Sequence, residues 1–287
     1  MADGLLWPQL NGQFPPDQVP WLSEPETGVS FRRLALLVAY DGRDFSGWQI
    51  QPGKLTIQET LEKALSQLNN QPVRLEASGR TDAGVHAWGQ VAAFKVSSDL
   101  PLTRMMSGLR SGLLPASIYV RCLGIVPEGF HPRFQAQAKT YDYYLRCGRF
   151  LGPFMNHYMW HLPFTLDLEA MRQCLRQLHG VWDFKLLSGP RCQVQGSTSR
   201  TILSAELAAE EASGLIRVRI TASGFLRHVV RNLIGLLVQV GLGRIKTEDL
   251  LHMLQSPQRN LSAPKAPPGG LYLHSVWYQP YTKDIAV

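Results

Sequence analysis

Apolar residues along this chain fall into short alternating or continuous runs broken by turn signals, the pattern of strands interleaved with amphipathic helices. A strand is expected over residues 34–40, closed by Asp41-Gly42. Thr56-Ile57-Gln58-Glu59 then fits a helix-capping box, and Ile57, Leu61, Ala64, Leu65 and Leu68 fall on one face at 3.6-residue spacing. Further strands are expected at 91–96, 118–125 and 139–146, with a helix over 103–114 ended by Pro115. In the second half the pattern predicts a helix over 168–178 stopped by Gly180, strands at 201–208 and 215–221, a long helix over 225–240 and a last strand at 271–278. Several strands follow one another through short turns, so the expected class is α+β with a largely antiparallel sheet. The order of elements suggests two similar sheet-and-helix halves, 31–135 and 136–287, behind an N-terminal extension.

Residues 1–30 hold five prolines and no hydrophobic periodicity, and read as an extension that is mobile or laid along the surface. They also sharpen the charge. The chain carries +7, but the extension contains Asp3, Asp17, Glu24 and Glu26 and no basic residue. Residues 31–287 therefore hold 29 basic against 18 acidic side chains, or +11. That surplus points to a polyanionic partner, nucleic acid first and an anionic membrane surface second. Four cysteines, Cys122, Cys147, Cys174 and Cys192, form no C-x-x-C pair, so neither a zinc knuckle nor a disulfide framework is readable. The longest apolar stretch, 233–242, is about half the ~20 residues of a membrane span and contains Gly235, Gln239 and Gly241. With no basic, apolar leader at the N-terminus, a soluble, cytoplasmic protein that engages no membrane is expected.

The 225–240 segment is apolar around most of its circumference, with Arg227, His228, Arg231 and Asn232 as its polar stripe. An unpaired guanidinium on a core helix would cost about 3–5 kcal/mol. Arg231 is thus expected either in a structural ion pair or facing a carboxylate in a site. The common signatures G-x-x-x-x-G-K-[ST], H-E-x-x-H, G-x-S-x-G and G-x-G-x-x-G after a strand are absent, which removes several enzyme classes. His157 and His161 stand four apart in a segment that reads as strand or turn, where they would not converge on a metal. One segment stands out, Ser78-Gly79-Arg80-Thr81-Asp82-Ala83-Gly84-Val85-His86-Ala87. Its glycines let the backbone bend and a ligand approach, while Arg80 and Asp82 sit two apart on a loop. Two readings stay open on physical grounds: a turn that Asp82 merely caps, or an ionised nucleophile beside a basic surface.

Seven segments in order resemble the TruA-type family of tRNA pseudouridine synthases, from about Leu34 to Tyr278. They are Tyr40-Asp41-Gly42 with Phe45-Ser46-Gly47-Trp48-Gln49; the segment from Ser78 to Ala87 continuing into Gly89-Gln90-Val91; Phe130-His131-Pro132-Arg133-Phe134; Lys139-Thr140-Tyr141; Asp183-Phe184; Gly224-Phe225-Leu226-Arg227-His228 with Val230-Arg231-Asn232; and Ala266-Pro267-Pro268-Gly269-Gly270-Leu271-Tyr272-Leu273. Departures from the family pattern are Val181-Trp182, Gln137-Ala138 and Pro132, which touch the surroundings of the site residues rather than the residues themselves.

The resemblance implies the pseudouridine synthase fold with a central cleft, and isomerisation of uridine to pseudouridine at uridines 38–40 of the tRNA anticodon stem-loop, with no cofactor or catalytic metal. Asp82 takes the catalytic aspartate's position, its carboxylate attacking either the uracil ring or ribose C1′ after base flipping. Arg80 matches the arginine that helps extrude the nucleotide. Tyr141 matches the tyrosine packed on the flipped uracil, Arg231 the basic partner of the aspartate, and Leu271 the apolar wall of the base pocket. Arg80, Arg133, Lys139 and Arg227 are the expected RNA-binding residues, within a wider basic set that includes Arg104, Arg110, Arg121 and Arg146. A homodimer is implied, with one tRNA touching both subunits. The rival readings are a related synthase acting on another RNA, a non-catalytic RNA-binding protein of the same fold, and a carboxylate-based nucleoside hydrolase, for which the sequence offers no second acid. If phosphate contacts dominate docking, RNA affinity falls steeply and linearly on a log–log plot against salt; a flat slope in a filter-binding titration would contradict this.

Overall fold

The computed structural model describes residues 19–23, 31–114, 117–188, 196–210, 212–255 and 265–281. Most of the 1–30 extension, the helix stop at Pro115 and Cys192 lie outside those residues. Two compact units divide the described chain: 19–137 together with 273–281, and 138–272.

The unit holding residue 31 onward is built on β1 (Arg32–Tyr40), β3 (His86–Val96) and β4 (Ile118–Ile125), with the short β2 (Glu76–Ala77) on β3. β1 pairs antiparallel with both β3 and β4, Leu36 standing opposite Ala92 on one side and Leu123 on the other. A strand enclosed by neighbours on both edges and covered on both faces needs apolar residues throughout, so Leu34 to Tyr40 reads as a continuous apolar run and every one of them is buried. β3 starts five residues earlier than the pattern suggests, at His86, because Gly89 and Gln90 interrupt the apolar run without interrupting the ladder. α1 (Ile57–Asn69) has the expected cap, Thr56 Oγ1 accepting from the Glu59 amide at 3.4 Å, and buries Ile57, Leu61 and Leu65 completely. α2 (Leu102–Gly112) lies close to α1, where a side chain on Gly108 would meet Leu68 Cδ2 at 2.5 Å. The described part of the N-terminal extension lies along this unit: the Leu22 amide donates to the Ile125 carbonyl at 2.8 Å and the Trp21 ring covers Gly124.

In the other unit β5 (Ala138–Cys147), β9 (Leu215–Ala222), β8 (Ser199–Glu210) and β7 (Gly180–Asp183) lie side by side in that order, all antiparallel, and β6 (Trp160–Leu162) runs parallel on β5. β5 is buried on both faces: Ala138 through Leu145 are buried apart from half-buried Lys139, and Asp142 has no exposure at all. Asp142 is satisfied by its cross-strand partner: Arg219 donates through Nε at 2.7 Å and Nη2 at 2.8 Å. Helix α3 (Leu168–Gln177) is capped by Asp167, which accepts from the Ala170 amide at 2.9 Å. It lies close to α4 (Val229–Gly241), the apolar helix of this unit, where a side chain on Gly241 would meet Met171 Sδ at 2.7 Å. α4 begins four residues later than the hydrophobic pattern predicts. His228 sits at φ 68°, a left-handed conformation that cannot continue a helix, so Phe225 lies outside it and the chain turns from Leu226 to Val229, the Val229 amide donating to the Leu226 carbonyl at 3.3 Å. Arg227 therefore stands in an exposed turn and not on a helical stripe with Arg231. α5 (Thr247–Gln255) was not read from the pattern, although Glu248 and Asp249 in its first turn are a start signal. The last strand, β10 (Leu271–Trp277), spends its first two residues in this unit and the rest in the other, next to β3.

The chain is thus α+β and predominantly antiparallel. No helix among the described residues is long and apolar enough to cross a membrane. Asp142→Asn removes the buried carboxylate from the half-buried Arg219 guanidinium and is expected to lower stability by about 3 kcal/mol, read as a lower urea midpoint at unchanged slope.

Candidate active site

The segment that stands out in the sequence is the connection from β2 to β3, and it is pinned at both ends. On the β2 side, the Ser78 amide donates to the Val91 carbonyl at 2.8 Å, the Ser78 hydroxyl to Gln90 Oε1 at 2.6 Å, and Gln90 Nε2 to the Gly79 carbonyl at 2.9 Å. In the middle, the Val85 amide donates to the Asp82 carbonyl at 3.1 Å across a four-residue turn with Gly84 at φ 76°. Positive φ at the third position after a conventional second one is the type II turn, which favours glycine there. Asp82 thus opens a tight turn, half-buried, with exposed Arg80 two residues before it.

A second loop holds the first. The Trp48 amide donates to the Thr81 carbonyl at 3.1 Å and the Gly84 amide to the Phe45 carbonyl at 3.4 Å. Two glycines permit this approach. A side chain at Gly47, already at φ 94°, would lie 2.7 Å from the Thr81 carbonyl oxygen and 3.1 Å from the Ala83 nitrogen; one at Gly42 would fall on the Val85 carbonyl. Below the loop, the Tyr40 hydroxyl and Thr81 Oγ1 share a hydrogen bond at 2.8 Å. Burial pushes the Tyr40 phenol up to about 12, against the opposing pull of that bond, so it stays protonated at neutral pH. At the start of β3, buried His86 brings Nδ1 to 3.1 Å from the Gly42 amide, which donates to it, and 3.2 Å from Asp41 Oδ1. The residues flanking Asp82 are therefore fixed by hydroxyls, amides and ring nitrogens around it. Sequence reasoning missed Tyr40, Thr81 and Gln90 as supports, since their partners are distant in the chain.

Arg133 lies in the same unit, exposed, in the turn after Phe130, with its guanidinium carbon 5.7 Å from the Phe134 ring centroid.

The other unit carries the remaining expected residues. Tyr141 stands on β5 opposite Ile220, and its ring meets that of Phe225 edge-on, 5.2 Å between centroids at 87°. Lys139, two residues earlier on the same face of β5, is half-buried, while Arg227, two residues after Phe225, is exposed in the turn before α4. Arg231, 8% exposed in the first turn of α4, donates through Nε to the Ala266 carbonyl at 2.7 Å, and the Ala266 amide returns a bond to the Arg231 carbonyl at 3.1 Å. That exchange ties α4 to the Pro-Pro-Gly-Gly approach to β10, where Leu271 is buried. Tyr143, its phenol pushed well up by burial, donates to the Pro267 carbonyl at 2.8 Å in the same approach. A side chain at Gly270 would collide with the Tyr143 ring at 2.7 Å, which is why the approach is glycine there. So within this unit Arg231 and Leu271 belong to one braced corner, and Tyr141, Phe225 and Arg227 to a neighbouring stretch of sequence around β5 and the turn before α4. His161 lies in β6, its Nε2 at 2.7 Å from the Gly148 carbonyl, while His157 is exposed outside any strand.

A family model described as tRNA pseudouridine synthase matches residues 36–135 and 175–279. Asp82, Arg80, Arg133, Arg227, Arg231 and Leu271 fall inside the matched residues; Tyr141 and Lys139 fall between them. Curated relatives called tRNA pseudouridine synthase A include that of Geobacter sulfurreducens, 41% identical over 245 residues that make up 85% of this chain and 99% of the relative. That of Bacillus subtilis is 39% identical over 248 residues, 86% of this chain and 99% of the relative. Among solved structures, a Cbf5-Nop10-Gar1 complex aligns at 12% identity and a TM-score of 0.31, over 71% of this chain and 54% of that one.

Because the Asp82 turn is held by a backbone approach that only glycine permits, Gly47→Ala is expected to cut turnover by about 10²-fold while RNA affinity stays near that of the parent chain, in steady-state kinetics beside a binding titration.

Proposed function

This chain belongs to the tRNA pseudouridine synthase family and isomerises uridine to pseudouridine in tRNA, and we propose that it does so in the anticodon stem-loop, at uridines 38–40, with Asp82 as nucleophile. The observation that carries the reading is the fixed turn at Asp82, a half-buried carboxylate held beside exposed Arg80 in a loop with bonds on both sides. Substrate and product are isomers. The N1–C1′ bond breaks, the uracil turns, C5 bonds to C1′, the C5 proton leaves and N1 gains one, so no net oxidant, reductant or group donor is consumed. The carboxylate engages either C1′ or the uracil ring and is released when the new bond forms. A target base inside a stem-loop must be unstacked first, at a cost of a few kcal/mol, and Arg80 is assigned the role of filling the vacated space and holding phosphate.

Tyr141 is assigned to pack on the uracil and assist proton removal from C5, Arg231 to balance the aspartate's charge, and Leu271 to give an apolar wall. The edge-on Phe225 ring supports the first assignment, since it holds the Tyr141 ring in one orientation. Arg80, Arg133, Lys139 and Arg227 are assigned to the RNA backbone, a role that suits the exposure of Arg80, Arg133 and Arg227 and the +11 carried by residues 31–287. A cytoplasmic homodimer, each tRNA touching both subunits, is part of the same proposal.

With tRNA carrying tritium at uracil C5, the parent chain is expected to release label and Asp82→Asn none, while both bind tRNA alike. Release by Asp82→Asn would overturn the assignment of the nucleophile. Light scattering at micromolar concentration is expected to give twice the 32.1 kDa chain mass, and a monomer mass would overturn the dimer.

A further inference from the structure

The unit that carries Asp82 also holds a cavity of about 420 Å³ that none of the assigned site residues lines. Phe130, Phe134 and Tyr278 line it together with Pro20, Gln135, Gln137 and Gln279, and no described lining residue is acidic. Phe134 is 74% exposed, an unusual state for a ring so tightly held. Its turn is fixed from inside: His131 Nδ1 accepts from the Arg133 amide at 3.1 Å and the Phe134 amide at 3.4 Å, and the His131 carbonyl from the Gln135 amide at 3.1 Å. It is fixed from outside as well, the Tyr278 hydroxyl donating to the Pro132 carbonyl at 2.9 Å while its ring meets Phe130 edge-on at 5.0 Å. The His131 ring lies 4.2 Å from that of Phe134 and backs it. Folding has thus placed a rigid aromatic ring in solvent rather than in the core.

Gln137 and Gln279 are exposed, and their side chains make no hydrogen bond among the described residues. A glutamine amide offers a donor and an acceptor side by side, the pattern that a nucleobase edge complements. Exposed Arg133 sits beside the ring, 5.7 Å from its centroid, where a guanidinium holds phosphate. An aromatic face, a bidentate amide and a neighbouring cation together form the recognition set for one nucleotide of single-stranded RNA.

We infer that this cavity receives an unstacked nucleobase of the bound RNA other than the one isomerised, stacked on Phe134, met on its edge by Gln137 and Gln279, with its phosphate at Arg133. The inference rests on the reading of RNA as substrate.

The test uses the full chain and an anticodon stem-loop RNA, alongside a set of the same RNA carrying one abasic nucleotide at each loop position in turn. Phe134→Ala is expected to weaken binding about 10-fold, within the range for loss of one base–aromatic stack, and Phe134→Tyr to restore it. One abasic position is expected to weaken the parent chain by a similar factor and to cost Phe134→Ala nothing more, the mark of two partners in one contact. Gln279→Ala is expected to show the same insensitivity in part, and the exposure of both side chains predicts unchanged urea midpoints. Parent-like binding by Phe134→Ala, or abasic penalties equal in both chains at every position, would overturn the inference. Pseudouridine formation by the parent chain, measured in parallel, separates the two readings: formed without the coupling, only the cavity's role falls; neither formed nor accompanied by RNA binding, the functional reading falls and this inference with it.

Discussion

The close approach of two loop backbones, permitted by Gly42 and Gly47, is the constraint on which the Asp82 segment depends. A turn of four residues has few bonds of its own and, left alone, would sample many conformations at about 1–2 kcal/mol of entropy per residue fixed. Here the 42–48 loop closes over it, so that amides at Trp48 and Gly84 and carbonyls at Phe45 and Thr81 are paired without any side chain between them. Beneath, Tyr40 and Gln90 hold the hydroxyl of Thr81 and the start of the loop from two neighbouring strands. Order in the Asp82 turn is thus borrowed from the sheet, which is itself stabilised by burial of the β1 run and of α1.

The other unit solves a different problem, that of polar groups in a buried strand. β5 carries Thr140, Asp142, Tyr143 and Tyr144 in its interior, and β9 answers with partners in register: Thr221 Oγ1 shares a bond with Thr140 Oγ1 at 2.8 Å, and Arg219 grips Asp142 with two. Satisfied pairs of this kind are costly to disturb on one side only. They fix the register of β5 against β9 and with it the position of Tyr141, whose neighbours in the strand, Thr140 and Asp142, are both bonded across the ladder.

How far the sequence could be read follows from the range of each interaction. The capping box at Thr56 and the continuous run of β1 are local signals, and both elements form as their own residues predict, while the turn expected at Asp41-Gly42 falls one step later, the Phe45 amide donating to the Gly42 carbonyl at 3.1 Å. The start of α4 was misplaced because hydrophobic periodicity runs through Phe225 and Leu226, while the helix is broken by the dihedral of one residue, His228, which no pattern of polarity records. The partner of Asp142 is hidden from the sequence for the opposite reason: Arg219 stands 77 positions away and meets it only across the ladder. Within the candidate site the Asp82 segment is legible because glycines bracket it, whereas the bracing by Tyr40 and Gln90 is not, since a tyrosine ending one strand and a glutamine inside another carry no mark of the loop they hold. The family resemblance supplied roles that the residues alone left open between a capped turn and a nucleophile.

β10 has a consequence for how the protein is made. The unit that contains Asp82 begins with the first described residues, yet it also includes the chain from Leu273 onward, with that strand beside β3. A ribosome releasing the chain in order delivers β1, α1 and β3 long before that strand exists. Until then β3 has one flank without its final neighbour, and an unpaired edge is a template for unwanted pairing. Completion of this unit awaits the synthesis of β10 and a contact that spans nearly two hundred residues, the kind of long-range closure that slows folding. The strands on either side of the Asp82 segment gain their last neighbour only after β10 has been made, so that segment settles late although it is made early relative to β10.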